Sequence, residues 1–336
     1  MKKAIIPIVL TVVLSVVLVL VIESADLTPP LASRQGRSID VLLRVLFILA
    51  AVVFSLVMSF LLYSVVAFRR RPGDMEDAKP VHGNVPLEIA WTVIPLIIVL
   101  ALGGYGSAVL IDISRTSAEQ EVVVEVVGAQ FAWSFSYPEY GFTSTELVLP
   151  VDRPALFRIR STDVIHSFWI PEFRIKTDAV PGILNEERVT PSAVGDYTAR
   201  CSELCGTGHA YMTAPVHVLD EQDFELWVAD QQAAAQQPLV GAEGGQQLVQ
   251  QYGCTGCHSL DGSALVGPTF QGLFGARIAF EDGTAAIADE AYIQNSILNP
   301  GDQIVQGFAN VMPGNYGEQI TEEEIAAIVA FIQSLE

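Results

Sequence analysis

The 336-residue chain is short of charge. Only 17% of its residues are Asp, Glu, Lys or Arg, against about 25% in an ordinary soluble domain. Cations are the scarcer sign, with 18 Lys+Arg facing 38 Asp+Glu and a net charge of −20. A chain so poor in basic residues has no patch for phosphate, which excludes nucleic acid as a partner. The shortage is local. Residues 4–22, 45–68 and 89–111 hold no charged side chain, and outside them the density returns to about 21%, near the soluble norm. A simple soluble enzyme and a disordered chain are therefore both excluded. Cysteine is rare as well. The four present fall in two close pairs, too few for a disulfide scaffold and spaced as in metal or cofactor chemistry.

What is present begins with membrane spans. The runs 45–68 and 89–111 exceed the ~20 apolar residues that a crossing needs. Arg69, Arg70, Arg71 and Lys79 lie between them, and the positive-inside rule puts that loop in the cytoplasm and everything after Asp112 outside. Residues 1–25 carry Lys2 and Lys3 before the apolar run 4–22. They read equally as a signal peptide, with a weak cleavage site at Glu23-Ser24-Ala25, or as a retained third helix.

Two soluble regions follow. Residues 120–220 read as an antiparallel β-sandwich or barrel, with strands expected at 121–127, 130–137, 155–160, 196–201 and 214–219. Phe131, Trp133, Phe135 and Tyr137 alternate as on a strand with one buried face. Residues 229–243, rich in Ala and Gln and running on to Gly244 and Gly245, read as a linker, with a helix end as the alternative. Residues 244–336 read as all-α. Thr321 and Glu324 form a capping box, followed by Ile325, Ile328, Val329, Ile332 and Leu335 on one helical face.

Each soluble region holds one constellation of metal-binding side chains. Between residues 120 and 240 the only Cys, His and Met are His166, Cys201, Cys205, His209, Met212 and His217. Thiolate, imidazole and thioether donors suit copper. Zinc and a Cys201–Cys205 disulfide are the alternatives. His217, between Val216 and Val218 on a strand, reads as solvent-facing, and His82 as a loop residue. In the second region, Cys254-Thr255-Gly256-Cys257-His258 is the c-type haem attachment pattern. Beyond His258 there is no Cys, His or Lys, and Met312 is the only Met. A zinc site would lack ligands there, whereas a His258/Met312 haem is complete.

The string from Cys201 to Met212 resembles the dinuclear copper (CuA) loop of cytochrome c oxidase subunit II. So do the surroundings of His166 (Thr162–Pro171), Lys176–Gly182, Gly128–Trp133, and Leu87–Thr92 with Pro95. Gly267-Pro268 and Met312-Pro313-Gly314 resemble the haem-flanking loops of class I cytochromes c. The resemblance implies a membrane-anchored multidomain fold: a transmembrane helical hairpin (40–115), a β-sandwich cupredoxin domain (118–228), the linker, and an all-α class I cytochrome c domain (244–336). It implies that Cys201 and Cys205 bridge two copper ions, each completed by His166 or His209, with Met212 and the Glu203 backbone carbonyl as further contacts. The Glu203 carboxylate would meet Mg²⁺ at the interface with subunit I. Glu88 would stand at the mouth of a proton-uptake path. Phe131 replaces the family's usual exposed Trp, which puts docking of a separate cytochrome there in doubt; it reads equally as a core aromatic.

The expected function is electron transfer within a caa-type oxidase of the bacterial plasma membrane. Electrons pass from haem c to CuA and on to haem a of subunit I, where oxygen is reduced and protons are pumped. Subunits I and III, membrane lipid, and an upstream cytochrome c or quinol:cytochrome c reductase are the expected partners. The alternatives are the electron-receiving subunit of a CuA-containing nitric oxide reductase and a membrane-tethered copper-binding protein. From Cys201 onward there are 18 acidic residues and one basic residue, Arg277, which reads as a solvated face or as a docking surface for a basic donor.

Overall fold

A computed structural model describes residues 2–25, 27–70, 72–73, 75, 80, 82–114, 121–237, 239–263, 265–314, 316–318 and 320–335. Arg71 and Lys79, the expected start of the copper domain at 118, and Pro238 of the expected linker lie outside the described residues.

The first unit is helical. The apolar runs form α1 (Lys2–Ser24), α2 (Arg34–Ala67) and α3 (Val85–Ile113), each long and apolar enough to cross a membrane. α2 begins earlier than residue 40, adding an N-terminal stretch that carries Arg34 and Arg37. Both guanidinium arms of Arg44 reach the Glu23 carboxylate at the end of α1 (2.7 and 2.5 Å). Glu88 has a local task. Its Oε1 accepts the backbone N–H of Asn84 (3.0 Å), while Asn84 Oδ1 accepts from Leu87, so the two residues cap α3 reciprocally.

The second unit comprises Ala32–Arg34 and residues from 116 onward. Its first part is a sandwich of two five-stranded sheets. One runs β3 (Phe142–Ser144), β2 (Ala132–Tyr137), β1 (Val122–Ala129), β5 (Ala155–Ser161), β8 (Asn185–Val189). The other runs β4 (Leu147–Pro150), β10 (Thr213–Leu219), β9 (Gly195–Cys201), β6 (His166–Ile170), β7 (Ile175–Ala179). The expected antiparallel pattern holds except for two parallel pairs, β1/β5 and β4/β10. The aromatic alternation leading into and along β2 is obeyed: Phe131, Trp133, Phe135 and Tyr137 are all buried. Trp133 and Phe135 meet Phe168 of the other sheet edge to face. Ala32 and Arg34 hydrogen-bond the sandwich through Glu172, Thr190 and Ser192.

The region expected as a linker is mostly helical. α4 (Glu221–Ala235) buries Phe224 and Val228, and its Trp227 packs on Tyr137 and Phe142. α5 (Gly241–Gln251) opens the next domain. Only residues 236–240 connect them. Low sequence complexity concealed an apolar face at Phe224, Trp227 and Val228, just upstream of the Ala/Gln run.

The C-terminal domain is built on α5, α6 (Glu290–Leu298) and α7 (Glu322–Gln333). The Thr321–Glu324 capping box is present, and Ile325, Ile328, Val329 and Ile332 are buried. The domain is not wholly helical, because β11 (Arg277–Ala279) pairs with β12 (Ala285–Ile287). α5 crosses α7 at Gly245, where a Cβ would stand 1.9 Å from the Ala327 carbonyl oxygen. Only glycine permits that approach.

Candidate metal and haem centres

The copper-type donors are gathered by the ladder of the second sheet. β6 and β9 pair so that Phe168 faces Cys201, which brings His166 at the head of β6 near Cys201 at the end of β9. The loop between Cys201 and Met212 is pinned at both ends, by Cys201 N–H to Met212 O (3.0 Å) and Ser202 N–H to Ser167 O (2.9 Å).

All six expected donors converge. Cys201 Sγ lies 3.8 Å from Cys205 Sγ, 3.9 Å from His166 Nδ1 and 3.1 Å from Glu203 O. Cys205 Sγ lies 3.7 Å from His209 Nδ1 and 3.8 Å from Met212 Sδ. Ligands about 2.0–2.3 Å from a shared ion stand roughly 3.3–3.8 Å apart, so the spacing fits a metal. A disulfide, with sulfurs about 2.05 Å apart, is a different arrangement, and both cysteines are free. His166 and Met212 are fully buried.

Asp163 was not anticipated from the sequence. Its Oδ1 accepts from His166 Nε2 (2.8 Å), which fixes the tautomer and frees Nδ1 for a metal. Burial opposes a charged His166, but the Asp163 hydrogen bond and the Cys201 contact outweigh it and raise its pKa to about 9. Burial also works against a Cys201 thiolate, yet hydrogen bonds from His166 and the backbone bring the thiol below its usual range. Cys205 moves up, through burial and the neighbouring Cys201 charge.

Three glycines make room. A Cβ on Gly128 would press the Trp133 and His166 rings at 3.0 and 3.1 Å. Cβ atoms on Gly206 and Gly208 would meet the Phe131 ring at 3.0 and 2.4 Å. Phe131 is thus a core aromatic beneath the copper loop, 5% exposed. His217 stands apart from this cluster, half-buried, with Nδ1 2.7 Å from Asp196 Oδ1. His82 is exposed.

The haem-type motif lies on a 3₁₀ turn at Cys254–Gly256, where His258 N–H donates to Cys254 O (2.9 Å). Cys254, Cys257, His258 and Met312 line one apolar cavity with Phe270, Ile293 and Tyr316. His258 Nδ1–H donates to Pro268 O (2.7 Å), leaving Nε2 as the free donor atom. Its ring stacks on Phe270 at 4.6 Å and rests where a Cβ on Gly267 would sit, 2.7 Å away. That cradle, the free Nε2 and the apolar walls fit a haem. Burial pushes Cys254 up to about 12 and raises Cys257. A thioredoxin-like redox pair needs the opposite, a depressed thiol.

Comparison with known proteins identifies the domains that hold these residues. The pattern for "Cytochrome C oxidase subunit II, periplasmic domain" matches residues 142–219, that for its transmembrane domain residues 25–108, and that for cytochrome c residues 242–336. Cytochrome c oxidase subunit 2 of Alkalihalophilus pseudofirmus is 34% identical over 300 residues, covering 87% of this chain and 85% of that one. The subunit 2 of Thermostichus vulcanus is 33% identical, covering 64% and 81%. Among solved structures, the periplasmic domain of subunit II of Bradyrhizobium japonicum is 29% identical over 35% of this chain and 99% of its own, with a TM-score of 0.34. The domain set implies copper and haem c, and the matches favour an oxidase over a nitric oxide reductase subunit or a copper-tethering protein. The chain belongs to the cytochrome c oxidase subunit II family, and it carries a cytochrome c domain after its copper domain.

Proposed function

We propose that this chain receives electrons at a haem c held by Cys254, Cys257, His258 and Met312 and relays them through a dinuclear copper centre held by its second cluster. When bound, these groups would supply one-electron redox chemistry. The residues do the rest. Cys201 and Cys205 supply thiolates and His166 and His209 imidazoles, with Met212 and the Glu203 carbonyl as weaker contacts. Asp163 and Pro268 fix the two ligand imidazoles by their second nitrogens. Pinned loop ends and buried donors hold the copper cage rigid and exclude water. What carries this reading is the convergence of all six donors in one cluster, beside a haem-type cavity in the same folded unit.

The proposed setting is the bacterial plasma membrane, with both centres on its outer side. Subunits I and III of a proton-pumping oxidase are the partners there, and a cytochrome c or a quinol:cytochrome c reductase is the donor. Oxygen reduction belongs to subunit I. The exposed Glu203 carboxylate is placed at a Mg²⁺ shared with subunit I. Glu88 at the head of α3 is assigned to proton uptake by family resemblance, beside its capping role. The test is metal analysis of the detergent-purified complex. Two coppers and one covalently bound haem c are expected in this chain. Met312→Ala should keep the haem covalently attached but change its axial-ligand spectrum, and an unchanged spectrum would remove Met312 from the ligand set.

A further inference from the structure

His217 stands about 17 Å from Met212 along β10, at the rise of an extended strand. Its neighbours Val216 and Val218 are buried, so its side chain faces outward from the second sheet. Two carboxylates flank it. Strand register puts Asp196 of β9 directly opposite, and β4, which begins one residue after Glu146, runs along the other side of β10. Asp196 Oδ1 lies 2.7 Å from His217 Nδ1, and Glu146 Oε2 lies 3.7 Å from His217 Nε2. Among the described residues, no lysine or arginine pairs with either acid.

The two contacts differ in kind. An ionised carboxylate only accepts, so Nδ1 carries a proton and donates it to Asp196. That fixes the ring and turns Nε2 toward Glu146 as the donor atom, the arrangement in which histidines bind metal. The Glu146 oxygen stands beyond hydrogen-bond range of Nε2, at the spacing of about 3.3–3.8 Å that two ligands of one ion adopt. An imidazole between two acids without cationic partners makes a pocket of negative charge that a dication balances. The His217 and Glu146 side chains are 33% and 50% exposed, so water has access to complete a coordination shell.

We propose that His217 Nε2 and Glu146 Oε2 bind a borderline divalent cation, Zn²⁺ or Cu²⁺, on the outer face of the second sheet, with Asp196 as the positioning residue behind the imidazole. Imidazole together with carboxylate suits these ions, whereas calcium and magnesium take oxygen ligands. The site shares no residue with the copper cage or the haem cavity. All three side chains sit on or beside paired strands, so their spacing is held by the sheet. Once bound, the ion ties the edge strand β4 to β10.

The test uses the full-length complex, purified without a histidine tag, with Zn²⁺ alone as the probe. Bound zinc is measured by equilibrium dialysis and metal analysis over a range of free Zn²⁺. The parent should bind one equivalent that His217→Gln lacks. Asp196→Ala should weaken that equivalent about 10–100-fold, as loss of such a partner does, and Glu146→Gln, which removes a ligand itself, at least about as much. Asp196→Asn, whose amide oxygen still accepts from Nδ1, should recover most of the loss. Copper and haem spectra, recorded alongside, should be the same in all four variants, because none of these residues belongs to either ligand set. Zinc binding in His217→Gln equal to the parent's, or an affinity in Glu146→Gln within twofold of the parent's, would overturn the site. An affinity in Asp196→Ala within threefold of the parent's would remove its positioning role.

Discussion

Gly245→Ala is the sharpest single test of the cytochrome domain. The α5–α7 crossing is closed at this residue, with the added Cβ 1.9 Å from Ala327 O, 2.6 Å from its carbonyl carbon and 2.7 Å from Phe331 Cβ. The obstacles are backbone and a Cβ, so no flexible side chain can swing aside. The helices must part by about 1 Å, and a gap of that size forfeits a quarter to a half of each van der Waals contact across it. Leu248 and Val249 on α5 and Ile328, Phe331 and Ile332 on α7 share that core and are all buried. Overpacking in cores costs about 1–3 kcal/mol, and a backbone obstacle belongs at the upper end, near 3 kcal/mol. For a domain of this size each kcal/mol lowers Tm by about 4–8 °C, so a fall of more than about 10 °C is expected. The assay is calorimetric or haem-absorbance melting of the intact chain. Gly301→Ala is the control, since its Cβ would meet only Asn310 Nδ2 at an ordinary 3.5 Å. A Tm shift in Gly245→Ala no larger than the control's would refute the crossing.

Two further substitutions address the copper domain. Asp163→Ala leaves His166 Nε2 without its acceptor, and loss of such a partner weakens metal binding by about 10–100-fold; competition with a copper chelator measures it, and an affinity within threefold of the parent would count against the role. Tyr137→Phe orphans a buried peptide group, because the Tyr137 hydroxyl donates to Val148 O (2.9 Å) and accepts from Val148 N–H (2.8 Å). Two unpaired buried groups should cost about 2–4 kcal/mol, read by denaturant unfolding of the β domain, while copper spectra remain as they were.

The candidate donors could be listed from the sequence because Cys, His and Met are scarce in it. Elimination was enough for the haem-type set, whereas setting His217 aside and adding the Glu203 carbonyl took the family resemblance. The spans were legible because an apolar run has no other stable home, and the β2 aromatics because strand alternation is strict. What the sequence concealed was relational. Asp163 reads as an ordinary turn residue until β6 brings His166 over it. Gly128, Gly206 and Gly208 read as loop glycines until the Phe131, Trp133 and His166 rings occupy the space their Cβ atoms would need. The strands β6, β7 and β8 escaped because their short runs mix polar and apolar residues and lack the alternation of β2. The second half of helix α4 reads as linker for the opposite reason, since its Ala/Gln-rich run is low in complexity yet high in helix propensity.

The short connection changes how the two centres must be held together. A flexible tether of fifteen residues would leave the cytochrome domain free to roam, and docking would then need a large apolar interface. With α4 anchored on the sandwich by Phe224, Trp227 and Val228, only residues 236–240 remain, a reach of about 17 Å when fully extended. Within such a radius the cytochrome domain meets the sandwich at high effective concentration. The glycines of the haem-attachment turn fit that arrangement, because a Cβ on Gly253 would stand 2.6 Å from Ala132 Cβ and one on Gly256 3.0 Å from Phe131 O. The tether keeps the two domains together, and these close backbone approaches set their distance and orientation.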